Sequence, residues 1–205
     1  MTGSDVKKRL RVLVACEFSG VVRNAFREAG HDAWSCDILD AEDNSQYHIK
    51  QNVMEHGLLS EGWDMMIGHP PCTHLSLAGA RWFYDERFPH KRQQQEQAMD
   101  FFKKLMDAPI PKIAIENPQP LGVVMVCVGR YTQKFQPWNF GDQETKGICL
   151  WLRGLPKLEK TVTIKPDDVK ARVWRMPPGP DRQKERSRFF PGVARAMAEQ
   201  WGGLT

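Results

Sequence analysis

RVLVACEFSGVVRNAFREAGHDAWSCD, residues 11–37, decides the fold. Arg11 to Cys16 is a nearly continuous apolar run, as expected of a strand buried on both faces, and it stops at the turn Glu17-Phe18-Ser19-Gly20. Val22, Ala25, Phe26 and Ala29 then recur at helical spacings, and Gly30 supplies the stop. Asp32 to Cys36 reads as a second strand that ends in Asp37. Strand, tight turn, helix and strand within about thirty residues have the length of a βαβ unit.

Further along, Trp63 to Gly68 (WDMMIG) is a strand broken sharply by His69-Pro70-Pro71. Gln94 to Met106 predicts a helix with Ala98, Phe101, Phe102 and Leu105 on one side. Lys112 to Ile115 predicts a strand ending in Glu116-Asn117-Pro118, Ile148 to Leu152 a late strand, and Val193, Met197 and Trp201 the inner face of a closing helix. Trp82, Phe83 and Tyr84 are expected to pack against the sheet. Alternating strands and helices predict an α/β domain with a mostly parallel sheet covered by helices on both faces, and ligands at the carboxyl ends of the strands. Glu17, Asp37, Cys72 and Glu116 each follow a predicted strand, so they should converge on one rim.

The 205 residues suffice for one domain with its own core. A hydrophobic fraction of 41% and a charged fraction of 26% exclude a membrane protein and a disordered chain, and with no signal-peptide core the expectation is a cytoplasmic protein. Five cysteines without a CxxC pair argue against a disulfide framework and a structural zinc, and no metal is expected. The net charge of +4 is too small to predict nucleic-acid binding by itself. Basic residues nevertheless crowd the irregular stretch 157–188, among them Lys170, Arg172, Arg175, Lys184, Arg186 and Arg188. That stretch suits either a phosphate backbone or a solvated surface.

A thiolate nucleophile must be exposed and held still, and Pro70-Pro71 fixes two φ angles immediately before Cys72. Cys16, Cys36, Cys127 and Cys149 lie within strands or apolar runs and read as packing residues. Glu116, pinned between an apolar strand and Asn-Pro, should project into a partly dry site, where desolvation would raise its pKa and suit it to donate a proton. The turn after the first strand lacks a Gly-rich phosphate fingerprint, and the chain has no GxxxxGK[ST]. A ligand without phosphates but with an amino-acid tail and a ribose fits better, the tail at Phe18, Ser19 and Gly20 and the ribose at Asp37. S-adenosylmethionine has that shape.

Taken together, Glu17-Phe18-Ser19-Gly20, His69-Pro70-Pro71-Cys72, Glu116-Asn117-Pro118 and Arg188-Phe189-Phe190-Pro191-Gly192-Val193-Ala194 resemble the ordered motifs of the DNA cytosine-5 methyltransferases, and the chain looks closest to their short, phage-type relatives. The resemblance implies a Rossmann-like fold with a seven-stranded, mostly parallel sheet, formed as one domain over residues 1–205. It implies that Cys72 adds to C6 of cytosine in DNA, that Glu116 protonates N3, and that C5 takes a methyl group from S-adenosylmethionine, with a base in duplex DNA flipped out beforehand. Lys146 falls near the family's basic motif, and the cofactor would be held by Glu17, Phe18, Ser19, Gly20, Asp37, Ile38, Asn52, Pro70, Gly192 and Val193. Asn52 stands where relatives are expected to carry an aspartate, and its amide oxygen can accept the same hydrogen bond. The basic stretch at about 157–188 replaces a full target-recognition domain. Other readings are a different donor or acceptor (a modified S-adenosylmethionine, RNA, a nucleotide), an idle DNA-binding relative, and a Cys-His hydrolase built on His69, His74 or His90.

Overall fold

The computed structural model describes residues 8–77, 83, 86–172, 176, 177, 179 and 182–204; Trp82, Tyr84 and Arg175 lie outside them. Seven strands, β1 (Arg11–Ala15), β2 (Asp32–Asp37), β3 (His48–Lys50), β4 (Met65–Gly68), β5 (Lys112–Pro118), β6 (Gln133–Phe135) and β7 (Ile148–Arg153), form one sheet in the order β3-β2-β1-β4-β5-β7-β6. The first five run parallel, while β7 is antiparallel to both β5 and β6. The described helices are α1 (Val21–Glu28), α2 (His90–Met106), α3 (Gly122–Val128), α4 (Arg182–Ser187) and α5 (Pro191–Trp201).

Alternation along the strands sorts the core into two clusters. Val12, Val14, Met65, Ile67 and Ala114 pack with Val22 and Phe26 of α1 and with Val193, Met197 and Trp201 of α5. Leu13, Ala15, Met66, Ile113 and Ile115 pack with Phe102 and Leu105 of α2 and with Val124 of α3. Trp201 is wholly buried and donates its indole N–H to the Pro156 carbonyl at 3.0 Å, so the largest core side chain leaves no polar atom unmet.

The structure departs from the sequence reading at several boundaries. β1 stops at Ala15, and Cys16 turns into the left-handed region at φ 59. α2 begins at His90 because its first turn is polar and adds nothing to the apolar periodicity. β5 continues through Pro118, because β7 pairs Glu116 with Leu150, Asn117 with Cys149 and Pro118 with Ile148. Glu116 is therefore a strand residue with a fixed backbone on its β7 side rather than the first residue of a turn. α3 and β6 had no reading in the sequence: α3 (GVVMVCV) shows no polar face, and β6 is only three residues long.

The N-terminus of α5 is closed by a side chain from another element. Asp142 accepts the backbone N–H groups of Gly192 and Val193 at 3.0 and 3.2 Å, which satisfies two of the unpaired donors of the first turn. A Cβ on Gly192 would lie 2.2 Å from the Phe140 carbonyl oxygen and 2.7 Å from Asp142 Oδ2, so only glycine lets the helix approach this closely. In urea unfolding, Gly192→Ala is expected to cost about 1–3 kcal/mol by overpacking and Asp142→Ala about 0.5–2 kcal/mol by loss of the cap.

Candidate active site

Strand register brings the candidate residues level. Ala15 pairs with Cys36 and with Gly68, and Gly68 with Ile115, so Cys16, Asp37, His69 and Glu116 form the next row. The strand order reverses at β1, flanked by β2 on one side and β4 on the other, and ligands in open α/β sheets bind in the crevice at such a switch point. The reversed direction of β7 adds a further group: its beginning, preceded by Lys146, reaches the rim where the parallel strands end.

Two-residue alternation puts His69 on the face of Ile67 and Glu116 on the face of Ala114, both facing α1 and α5. They meet there, with His69 Nδ1 3.4 Å from Glu116 Oε2 and side chains only 11% and 9% exposed. The ring of His69 lies 4.6 Å from that of Phe189. Asn117, on the opposite alternation, donates from Nδ2 to the Pro70 carbonyl at 2.9 Å. The Cys72 carbonyl accepts the N–H groups of Leu75 and Ser76, and Leu75 and Leu77 are bonded to Leu121 and Gln119 beyond β5. The Pro-Pro-Cys turn is thus fastened to the end of β5, with Pro70 buried and Cys72 exposed.

On the face that His69 and Glu116 share, two buried polar atoms have no hydrogen-bond partner among the described residues, Glu116 Oε1 and His69 Nε2. Leaving such an atom unmet costs about 1–3 kcal/mol, so the two together mark a place built for a polar ligand. Burial alone would push the Glu116 carboxyl up, as the sequence suggested. The hydrogen bond from His69 and the charges of Lys146 and His69 outweigh burial, and the carboxyl is held below its ordinary value. The sequence expectation of a raised, proton-bearing Glu116 is therefore corrected: the free protein holds it ionised.

The Cys72 thiol moves the other way. Desolvation by the surrounding protein raises it, the Lys146 charge opposes this, Glu116 adds to it, and Arg186 opposes it. Lys146 therefore acts on both reactive groups. His69 is not paired with the thiol: its Nδ1 is engaged by Glu116, and its Nε2 has no partner among the described residues. The Nδ1 of His74 has no partner among the described residues, and its ring lies edge-on to Phe83.

The cofactor candidates divide into two groups. Glu17 is 3% exposed and spends both oxygens on α1, accepting from Val22 N at 2.7 Å and Arg23 N at 3.2 Å. Gly192 and Val193 give their N–H groups to Asp142 in the same manner. These three hold the walls of the rim. Gly20 is left-handed at φ 73, and a Cβ there would strike the guanidinium of Arg23; Phe18 is buried and Ser19 half-buried. Asp37 has no ion-pair partner among the described residues, accepts the Leu39 N–H at 3.0 Å, and is raised by burial. Next to it Ile38 is 69% exposed, an apolar surface beside a carboxylate, which matches a ribose carrying a planar base. Asn52 is exposed and its Oδ1 accepts Met54 N at 3.1 Å, which leaves one lone pair free. Two carboxylates on this rim, the buried Glu17 and the half-buried Asp37, would repel phosphate and favour a cationic ligand.

No family model matches the chain, and no curated protein does. Among solved structures it is similar to methyltransferase EhMeth of Entamoeba histolytica, with 16% identity over 78% of this chain and 57% of that one, TM-score 0.45. It is also similar to the Dnmt2 methyltransferase of S. pombe (18% identity, 80% and 58%, TM-score 0.42) and to an rRNA methylase from Escherichia coli (17%, 71% and 57%, TM-score 0.41). The chain spans less than three fifths of the length of each. Likenesses this distant leave the functional reading to the geometry of this chain.

Several residues of the site were missed in the sequence. Arg23, fully buried in α1, bonds Ser35 Oγ at 2.8 Å and is paired with Asp43, which ties the loop after β2 to the helix. Glu42 in that loop accepts two bonds from Arg188, at 2.8 and 3.0 Å, and pairs with Lys184 at 3.3 Å. These contacts dock the basic α4 segment beside the loop after β2. On the other side, the Lys170 carbonyl accepts Thr145 N at 2.9 Å, and Arg172 pairs with the buried Glu144 at 3.5 Å. Both basic segments thus flank Lys146 and the thiol.

Because the folded site disfavours the thiolate, iodoacetamide alkylation of Cys72 is expected to rise with pH to a midpoint above the ordinary thiol value. Lys146→Gln should raise that midpoint and Glu116→Gln should lower it. Peptide mass spectrometry separates Cys72 from Cys36 and Cys149, which burial pushes up to about 11. A midpoint that neither substitution moves would contradict the electrostatic coupling.

Proposed function

We propose that this protein transfers a methyl group from S-adenosylmethionine to C5 of cytosine in DNA, within a Rossmann-like methyltransferase fold, by way of a bond between Cys72 Sγ and C6 of the base. One observation carries the reading: an exposed thiol on a proline-fixed turn stands at the same rim as a buried, ionised carboxylate with a vacant oxygen, and one lysine acts on both.

The proton balance suits this chemistry. Between Cys72 and Glu116 the free protein holds one proton, and it sits on sulfur. When the sulfur lone pair bonds C6, the thiol proton is released and the π electrons move toward N3, which takes up a proton. Glu116 can carry the proton from one to the other on Oε1, the oxygen without a partner among the described residues. Lys146 stabilises negative charge at either end of this transfer. A methyl group given to C5 would leave the cofactor as its neutral thioether; C5 would then lose its own proton to water, the C6–Sγ bond would break with its electron pair returning to sulfur, and the proton on N3 would go back through Glu116 to the thiol. Bound at Asp37 and Ile38, S-adenosylmethionine would supply the electrophilic methyl group.

Lys170, Arg172 and Arg186 supply cations on both sides of the mouth, which suits a substrate with a phosphate backbone better than a free base. A stacked base must be turned out to reach Cys72.

Nucleoside analysis of DNA incubated with the protein and S-adenosylmethionine is expected to show 5-methylcytosine, lost with Cys72→Ser by a factor of about 100 or more. Asp37→Ala should weaken cofactor binding about tenfold in calorimetry, the loss of roughly 1.4 kcal/mol. Undiminished product from Cys72→Ser would refute the covalent mechanism, and product found in RNA alone would change the acceptor.

A further inference from the structure

We infer that His69 is a positioning residue for Glu116: through Nδ1 it holds Oε2, so that Oε1 alone faces the substrate. This rests on the reading of Glu116 as the proton carrier between Cys72 and the base.

The geometry carries it. His69 and Glu116 sit on adjacent strands, β4 and β5, one residue past the Gly68–Ile115 pair, and strand alternation sends both side chains to the same face. Neither can turn away easily. Phe189 packs on the imidazole ring at 4.6 Å, and the Glu116 backbone is paired with Leu150 of β7. A carboxylate free to rotate presents either oxygen to a ligand, whereas one tied at Oε2 presents Oε1, the oxygen that the structure leaves unmet. An Nδ1 donor also stabilises the ionised form, and a carboxylate that starts ionised can accept the thiol proton. The charged and titratable groups around the pair are Glu17 beyond β1, which acts on His69 and is itself occupied by α1, Lys146 before β7, and Cys72. Lys146 remains to hold the carboxylate down when His69 is removed, so the loss should be partial.

The test uses His69→Leu, which keeps bulk and removes the donor, and His69→Asn, whose amide nitrogen can stand near Nδ1. Carbon NMR titration of protein labelled at glutamate needs no turnover: Glu116 should titrate about one pH unit or more higher in His69→Leu and close to wild type in His69→Asn. In methyl transfer, kcat for His69→Leu should fall on the order of tenfold or more with KM for DNA changed little, and its acid limb should move to higher pH. His69→Asn should recover most of the rate. Thermal melts establish that both variants are folded. An unmoved Glu116 titration in a folded His69→Leu protein overturns the inference, as does an equal loss in both variants at every pH. A wild-type protein that transfers no methyl group to DNA refutes the proposed function instead, and the titration still decides the role of His69.

Discussion

A carboxylate can stay ionised inside a protein only where donors and cations replace the water it has lost, and Glu116 gathers them from several strand ends. His69 comes from the end of β4 and Lys146 from the approach to β7, while the Glu116 backbone is fixed by pairing to β7. Were β7 parallel, its beginning would lie at the opposite end of the sheet and Lys146 with it. The antiparallel strand is thus a requirement of the site as well as a feature of the topology. Burial, with the neighbouring Glu116 charge, keeps the proton on Cys72 against the pull of Lys146.

A second constraint shapes the rest of the rim. Helices α1 and α5 both point their N-termini toward it, and each is closed by a carboxylate from outside the helix, Glu17 for α1 and Asp142 for α5. Closed in this way, neither helix end is free to take a phosphate in the manner of dinucleotide-binding folds. Among the described residues Asp37 has no ion pair, while Asp43 and Glu42 in the following loop are engaged by Arg23 and by Lys184 and Arg188. The ion pairs to Glu42 tie the loop after β2 to the basic α4 segment.

Much of this was legible in the sequence where the signal was local. The apolar runs Arg11–Ala15 and Met65–Gly68 fall where the strands were read, and the prolines before Cys72 and after Glu116 marked both as residues held in place. What was not legible depends on register or on contacts between distant segments. The Asp142 cap spans 50 and 51 residues and the Arg188–Glu42 pair 146, with no pattern in either segment to announce a partner. Glu116 was expected to be raised because burial was visible in the apolar strand before it, while the opposing His69 stood 47 residues away and could be placed only once β4 and β5 were aligned. Arg23 offered no signal either, since a helix arginine reads as solvated until Ser35 and Asp43 are seen around it. Lys146 depended on a family resemblance in the sequence, and the strand reversal gives it a physical reason.

The bond between Cys72 and the base is the claim on which the account stands. DNA in which target cytosines carry fluorine at C5 cannot lose the C5 substituent as a proton, so the sulfur that has added to C6 stays attached. Incubation with S-adenosylmethionine, denaturation and peptide mapping should find the modified nucleotide on Cys72 in the wild type and no adduct with Cys72→Ser. A wild-type protein that methylates ordinary cytosine yet forms no denaturation-resistant adduct with the fluorinated DNA would contradict thiol addition, and with it the roles given to Glu116 and Lys146.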